Sequence, residues 1–314
     1  MEKLKDIILV EIEAEYGTDP TPIVAADEII VHGTPTFQLV TKVLERPVPL
    51  PYFGKIAPVI VGEAYKLSFK AEITPSGAAG TAPRFGKLLR AAGLTEAISA
   101  GASATYTPHS THLGESCTIY YWAGGVKHIL RGCVANIKIP LVAGEMILAD
   151  VEVTGLYGGT IADVAFPTPT FETASPLIWT AAAFKFSAIT TLICSKLDFD
   201  LGNEIAPRRD ANAALTPGIS RYFIKDRNPK VSFDIEKEDL STINPYTLHS
   251  AQTLSDLETK PTGTAGSKIE ILINDIALDA PSFGDKESVR VWNLSGAPKV
   301  TLAAGNAEFS IAFK

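Results

Sequence analysis

The stretch KLSFKAEI, Lys66 to Ile73, alternates apolar and polar residues without a break, and a near copy, KVSFDIEK, stands at Lys230 to Lys237. In an extended chain Leu67, Phe69, Ala71 and Ile73 share one face, and Ser68, Lys70 and Glu72 share the other. In the second copy Val231, Phe233 and Ile235 oppose Ser232, Asp234 and Glu236. This period demands a strand half buried against a core, because a strand covered on both faces could not carry these charges. Lys66, Ser68, Phe69 and Glu72 recur as Lys230, Ser232, Phe233 and Glu236, 164 positions later. The repeat is either chance between two amphipathic strands or the trace of a duplicated module.

The rest of the chain favours duplication. Short strand patterns fall at 29–32, 37–44, 118–122, 134–139, 146–154, 192–201, 269–273, 289–293 and 308–313, with 24 Gly and 21 Pro punctuating the gaps. Two helices are predicted. PRFGKLLRAA (83–92) has Pro at its start and Gly93 at its end, and in DLSTINPYTLHSAQ (239–252) Pro245 starts the helix. Each copy then reads as a strand, a long Pro-bearing loop (46–62 and 205–229), the repeated strand, a helix and further strands. The first copy is longer, with an added loop and hairpin at 97–125. The expected division is a first module over 1–157, an extended Pro/Thr-rich linker over 158–179, and a second module over 180–314.

Several function classes are disfavoured. A net charge of −7 offers no basic footprint for tight nucleic-acid binding. Cys117, Cys133 and Cys194 form no framework or zinc spacing, and fit thiols in a reducing compartment. The apolar run Ile7–Val10 is broken at once by Glu11, Glu13 and Glu15, so a cytosolic, non-membrane chain is expected. No nucleophile elbow, P-loop or dinucleotide fingerprint occurs. His109 and His112 with Cys117 could ligate a metal, but read more simply as loop residues. The pairs Glu11/Glu13 and Glu236/Glu238 read as solvated strand faces, and Tyr120, Tyr121 and Trp122 as a hairpin or interface. No enzyme and no cofactor is expected.

EIEAEYGTDPTP (11–22) resembles the N-terminal signature of the major tail tube proteins of long-tailed, siphovirus-like bacteriophages. RPVPLPYFG, VGEAYKLSFKAEITPSGAAGTAPRFGKLLRAAGL, TIYYWAGGVKHILRG, AGEMILADVEVTGLYG followed by PTPTF, LDFDLGNEI and IKDRNPKVSFDIE fit the same family in the same order. The likeness spans nearly the whole chain. GTAPRFGKLLRAAG and the Gly-Thr-Asp-Pro start are its most specific pieces, and the ordered set carries more than any one of them.

The resemblance implies a mainly β fold: two tandem tail-tube-type β-sandwich or barrel modules, each with one flanking helix. It also implies a structural virion protein that self-assembles into stacked rings, forming a hollow tail through which DNA passes. Two modules per chain would make a six-walled ring from three chains, a homotrimer with pseudo-sixfold symmetry. The implied partners are copies of itself, a tape-measure protein, and terminator and baseplate or distal tail proteins. The implied place is the virion tail, assembled in the host cytoplasm. Ser68, Lys70, Glu72, Ser232, Asp234 and Glu236 are lumen candidates, unless those faces point outward. Pro47, Pro49, Tyr52 and Phe53 on the 46–62 loop are candidates for contact with the next ring, with residues 1–20 as the competing segment. The rival readings are a two-domain β-sandwich binding module, adhesin or carbohydrate-binding, and an enzyme with a site at His109, His112 and Cys117.

Overall fold

A computed structural model describes residues 6–159, 161–172, 174–213, 216–261, 263–300 and 305–314. The apolar N-terminal run forms β1 (Asp6–Ile12), and one turn of helix, α1 (Val24–Asp27), leads into β2 (Glu28–Ile29). β3 (Val31–Leu44) and β4 (Val59–Glu72) make a long hairpin with an irregular tip at 45–58. Next come α2 (Gly86–Ala91), β5 (Leu94–Ser99), β6 (Ser103–Pro108), β7 (Cys117–Ala123), β8 (Val126–Val142), β9 (Leu148–Tyr157) and β10 (Ala162–Asp163). The later part holds β11 (Lys185–Phe186), β12 (Cys194–Asp200), β13 (Asn203–Asp210), β14 (Gly218–Arg227), β15 (Lys230–Glu236) and α3 (Pro245–Ser250). It ends with β16 (Ser255–Thr259), β17 (Ile269–Leu278), β18 (Ser282–Lys286), β19 (Val289–Pro298) and β20 (Phe309–Phe313). With 53% strand against 5% helix and antiparallel sheets, the chain is mainly β, as in a β-sandwich.

Both predicted helices form, shorter than expected: α2 begins at Gly86 rather than Pro83, and α3 spans Pro245–Ser250 of the stretch 239–252. Gly93 takes the left-handed conformation after α2 (φ 81°), which a residue with a side chain adopts only at a cost. The Asn244 side chain accepts from Thr247 N at 3.1 Å, and Pro245 fills the first helical position of α3, where its missing N–H costs nothing.

The stretch 205–229, expected to be a long Pro-bearing loop, departs from expectation. That stretch is a hairpin, β13 with β14, forming a two-stranded sheet of its own. Register slips at Glu204/Ile205 and Arg208/Arg209 reset its alternation, which hides it from a period-two reading. Pro207, opposite Tyr222, is tolerated because β13 has a free edge. The hairpin lies over the first part of the chain: Ile219 and Tyr222 pack with Ala64, Val134 and Leu156, and Asn203 Nδ2 donates to Ala92 O at 2.7 Å and Ala135 O at 3.0 Å.

Eight strands lie side by side in the order β3–β4–β9–β8–β12–β15–β19–β18, every pairing antiparallel. One face of this ribbon is core: Leu67, Phe69, Val151, Ile137, Ile139, Leu197, Phe199, Val231, Phe233 and Leu294 are all buried in one cluster. Phe85 just before α2, Leu88 and Leu89 within it, Ile119 from β7 and Phe309 from β20 join that cluster. The pairing order recurs. β4 lies between β3 and β9 as β15 lies between β12 and β19, and β9–β8–β7–β1 is matched by β19–β17–β16–β11. The two runs join through β8–β12 and β6–β20.

Candidate functional surfaces

The second face of the ribbon is polar. Because antiparallel partners in register point to the same side, His32, Lys70, Asp150, Lys138, Asp200 and Lys230 form one row across five of the pairings, alternating in charge from Lys70 onward. Lys70 Nζ stands 3.7 Å from Asp150, Lys66 Nζ 3.4 Å from Glu152, and Lys196 Nζ 2.7 Å from Asp198. Such pairs are each worth under about 1 kcal/mol, so they solvate the face rather than hold it together.

Register carries the six lumen candidates to this face. Ser68 and Lys70 are exposed, while Ser232, Asp234 and Glu236 are half-buried. Glu72 is buried: it accepts from Thr74 Oγ1 at 3.2 Å and its Oε2 lies 2.9 Å from His32 Nε2, so its carboxylate is engaged within the chain. Asp234 accepts from Ser195 N (3.0 Å), Ser195 Oγ (2.7 Å) and Lys196 N (2.6 Å), with Lys286 Nζ at 3.4 Å. Burial pushes its carboxyl up, but the Ser195 and Lys196 hydrogen bonds and the Lys286 charge outweigh that and leave it below its ordinary value.

The β3–β4 hairpin carries a second surface. Pro47, Pro49, Tyr52 and Phe53 all lie exposed at its tip, with Tyr52 at 67%. Leu39, Val43, Leu44, Val59 and Ile60 are exposed along the same arm. Together these residues form an exposed apolar strip along the hairpin.

The segments most specific in the sequence turn out to lock the fold. Glu13, read beforehand as a solvated strand carboxylate, is buried at 6% exposure and accepts from four donors: Gly17 N (2.7 Å), Ser116 Oγ (2.6 Å), Thr118 Oγ1 (2.6 Å) and Gly132 N (2.7 Å). The reason is that the turn after β1 curls back over β7 and β8, a contact no local period reports. Tyr16 Oη donates to Gly132 O at 3.1 Å and accepts from Tyr222 N at 2.7 Å, fastening the β13–β14 hairpin. Asp19 accepts from Tyr120 Oη at 2.6 Å. Arg84 donates to Thr170 O (2.6 Å) and Ala25 O (2.7 Å), and Arg90 grips Glu115 through two hydrogen bonds of 2.7 Å. Sequence spacing could not find these partners, which lie far along the chain.

His109, His112 and Cys117 are held separately. His109 Nδ1 accepts from Thr111 N at 3.1 Å, His112 Nδ1 lies 3.2 Å from Ile224 O, and Cys117 is buried opposite Cys133. Burial, then the Arg227 charge, holds the His109 imidazole below its ordinary value. Among the described residues no group of three His, Cys, Asp or Glu side chains could hold a metal ion.

Fold and faces together define an antiparallel β protein that presents a broad polar wall backed by a continuous core. The chain belongs to the phage tail tube protein family, whose model matches residues 7–307. Comparison with curated proteins found no match. Family membership makes the chain a structural component of the virion tail tube.

Proposed function

We propose that this protein self-assembles into stacked rings whose joined ribbons wall a lumen, and that DNA passes through this tube during ejection. The observation that carries the reading is the eight-strand ribbon with one face buried and the other polar and charge-alternating. A wall of interspersed charge offers DNA no continuous basic track to adhere to, in keeping with a net charge of −7. Ser68, Lys70, Ser232, Asp234 and Glu236 face the lumen in this reading, with Glu72 supporting the face from within. Pro47, Pro49, Tyr52 and Phe53 meet the next ring.

The recurring pairing order supports two modules, 1–157 and 180–314, with 158–179 between them, and hence a ring of three chains with pseudo-sixfold symmetry. Described residues of the connecting stretch are held to the rest of the chain: Thr170 N donates to Glu28 Oε2 at 2.5 Å, and Trp179 Nε1 donates to Thr259 Oγ1 at 2.9 Å. The partners in this reading are further copies, a tape-measure protein in the lumen, and terminator and baseplate or distal tail proteins at the ends. Assembly takes place in the host cytoplasm, with no catalytic step.

Negative-stain microscopy of the concentrated protein, paired with light-scattering mass, tests this. Tubes, or rings of three chains with sixfold outlines, are expected. Rings of six chains would keep the tube and remove the duplication argument. A monomer that stays monomeric even with a baseplate complex would overturn the reading.

A further inference from the structure

The joint that unites the two halves of the ribbon is a five-residue pairing of β8 with β12, running from Lys138↔Asp200 through Ile139↔Phe199 to Val142↔Lys196. The ribbon then ends in β3 on one side and β18 on the other. Among the described residues β3 pairs only with β4, and β18 only with β19. Each therefore presents a row of unpaired backbone N–H and C=O groups, a template for strand addition.

Each free end is the counterpart of one side of the internal joint. β3 stands against β4 as β12 stands against β15: Gln38 opposes Lys66 where Asp200 opposes Lys230. β18 continues the line of β17 along β19, and the two together stand against β19 as the single long β8 stands against β9: Ser282 opposes Asn293 where Lys138 opposes Asp150. Lys66 and Lys230 are matching positions of the repeated strand. Asp150 and Asn293 match because their neighbours Val151 and Leu294 oppose Phe69 and Phe233. Since Lys138 pairs with Asp200, the same geometry brings Ser282 to Gln38.

We propose that β18 of one copy pairs antiparallel with β3 of the next copy in the register Ser282↔Gln38, Phe283↔Phe37, Gly284↔Thr36, repeating between chains the joint that β8 and β12 make within one. This rests on the ring assembly proposed above and specifies its seam. The side chains agree with the register. Ser282 and Gln38 are both exposed and lie on the polar face, in rows with Asn293 and Lys66. Phe283 lies on the core side, stacked on Trp292 at 4.1 Å yet 45% exposed, so half of its ring awaits cover. Phe37 also lies on the core side, half-buried and 4.8 Å from Tyr65. Phe283 beside Phe37 would close the apolar layer at the seam as Ile139 beside Phe199 closes it at the internal joint. A second copy is the occupant that fits, because the complementary edge belongs to the same chain and the joint it would form already exists inside it.

The test is a pair of cysteines, Ser282→Cys with Gln38→Cys, in a Cys194→Ser background. Both sites are exposed, and a melting temperature equal to that of the unmodified protein confirms that the monomer is intact. Under oxidation, assembled material is expected to run on a non-reducing gel as a ladder ending in a closed three-chain band, which reduction collapses to monomer. The register control, Ser282→Cys with Leu39→Cys, puts the thiols on opposite faces and should give no ladder. Tubes that form normally without cross-linking at 282/38, or that cross-link at 282/39 instead, would overturn the pairing and leave the tube reading standing. Failure of the unmodified protein to form rings or tubes even with a baseplate complex would overturn both.

Discussion

Lys87 Nζ stands 2.7 Å from Glu11 Oε2 and also meets the buried carboxylate of Asp27, joining α2 to the N-terminal strand and to α1. The two sequence segments most specific to the family, EIEAEYGTDPTP and GTAPRFGKLLRAAG, thus touch each other in the folded chain. Their residues hold the fold together, whereas the contact proposed between rings lies on the β3–β4 arm.

Replacing Glu13 is expected to be severe. Glu13→Ala leaves two backbone N–H groups and two hydroxyls in a buried site without their acceptor, a loss of about 3 kcal/mol or more. Glu11→Ala leaves Lys87 its Asp27 partner and should cost about 1 kcal/mol or less. Urea denaturation of both variants checks the contrast, and equal losses would count against the lock.

Gly86 opens α2 directly against Tyr106, whose buried ring sends its hydroxyl to Glu96 at 2.6 Å. A methyl at Gly86 would collide with that hydroxyl. Gly86→Ala is therefore expected to destabilise by about 1–3 kcal/mol, although alanine is the better helix former. Thermal unfolding of the variant reads this out, and a stabilised protein would contradict it.

Asp234 sets an acid limit. Its folded-state carboxyl lies below its ordinary value, so the stability it contributes is complete above the unfolded value, near about 4, and is lost as pH falls through the lower folded value. Chemical denaturation between pH 7 and pH 3 should show the unmodified protein weakening at the acid end. Asp234→Asn should be weaker at pH 7 and change less with pH, so parallel pH curves would refute the assignment.

In the proposed assembly, the arm tip should matter to ring stacking and little to folding. Tyr52→Ser with Phe53→Ser removes two exposed rings and should change monomer stability by no more than about 0.5 kcal/mol. Tube length in electron micrographs should fall sharply. Unchanged tubes would return attention to the N-terminal segment as the contact between rings.

Much of the fold was legible because its strands are amphipathic. Alternation in KLSFKAEI and KVSFDIEK marks β4 and β15 and correctly divides core from polar face, and Pro245 and Gly93 mark helix ends. What stayed hidden depends on distant partners. Glu13 looks like any strand carboxylate until the turn after β1 folds over β7 and β8. β13–β14 is masked by Pro207 and two register slips. Glu72 lies on the polar face by period yet is buried, because His32 and Thr74 close over its carboxylate. The β8–β12 joint leaves no trace in the sequence, since each strand alone is an ordinary amphipathic segment.

That joint also bears on how fast a ring could grow. Because β8 and β12 belong to one polypeptide, their meeting is set by the local concentration that the tether between them imposes, and dilution cannot part them. In a six-walled ring of three chains, every second seam would then be present before any encounter. Nucleation would require three bodies to meet rather than six, so the rate of ring formation should rise less steeply with protein concentration than for a single-module subunit, and rings once closed should survive dilution longer.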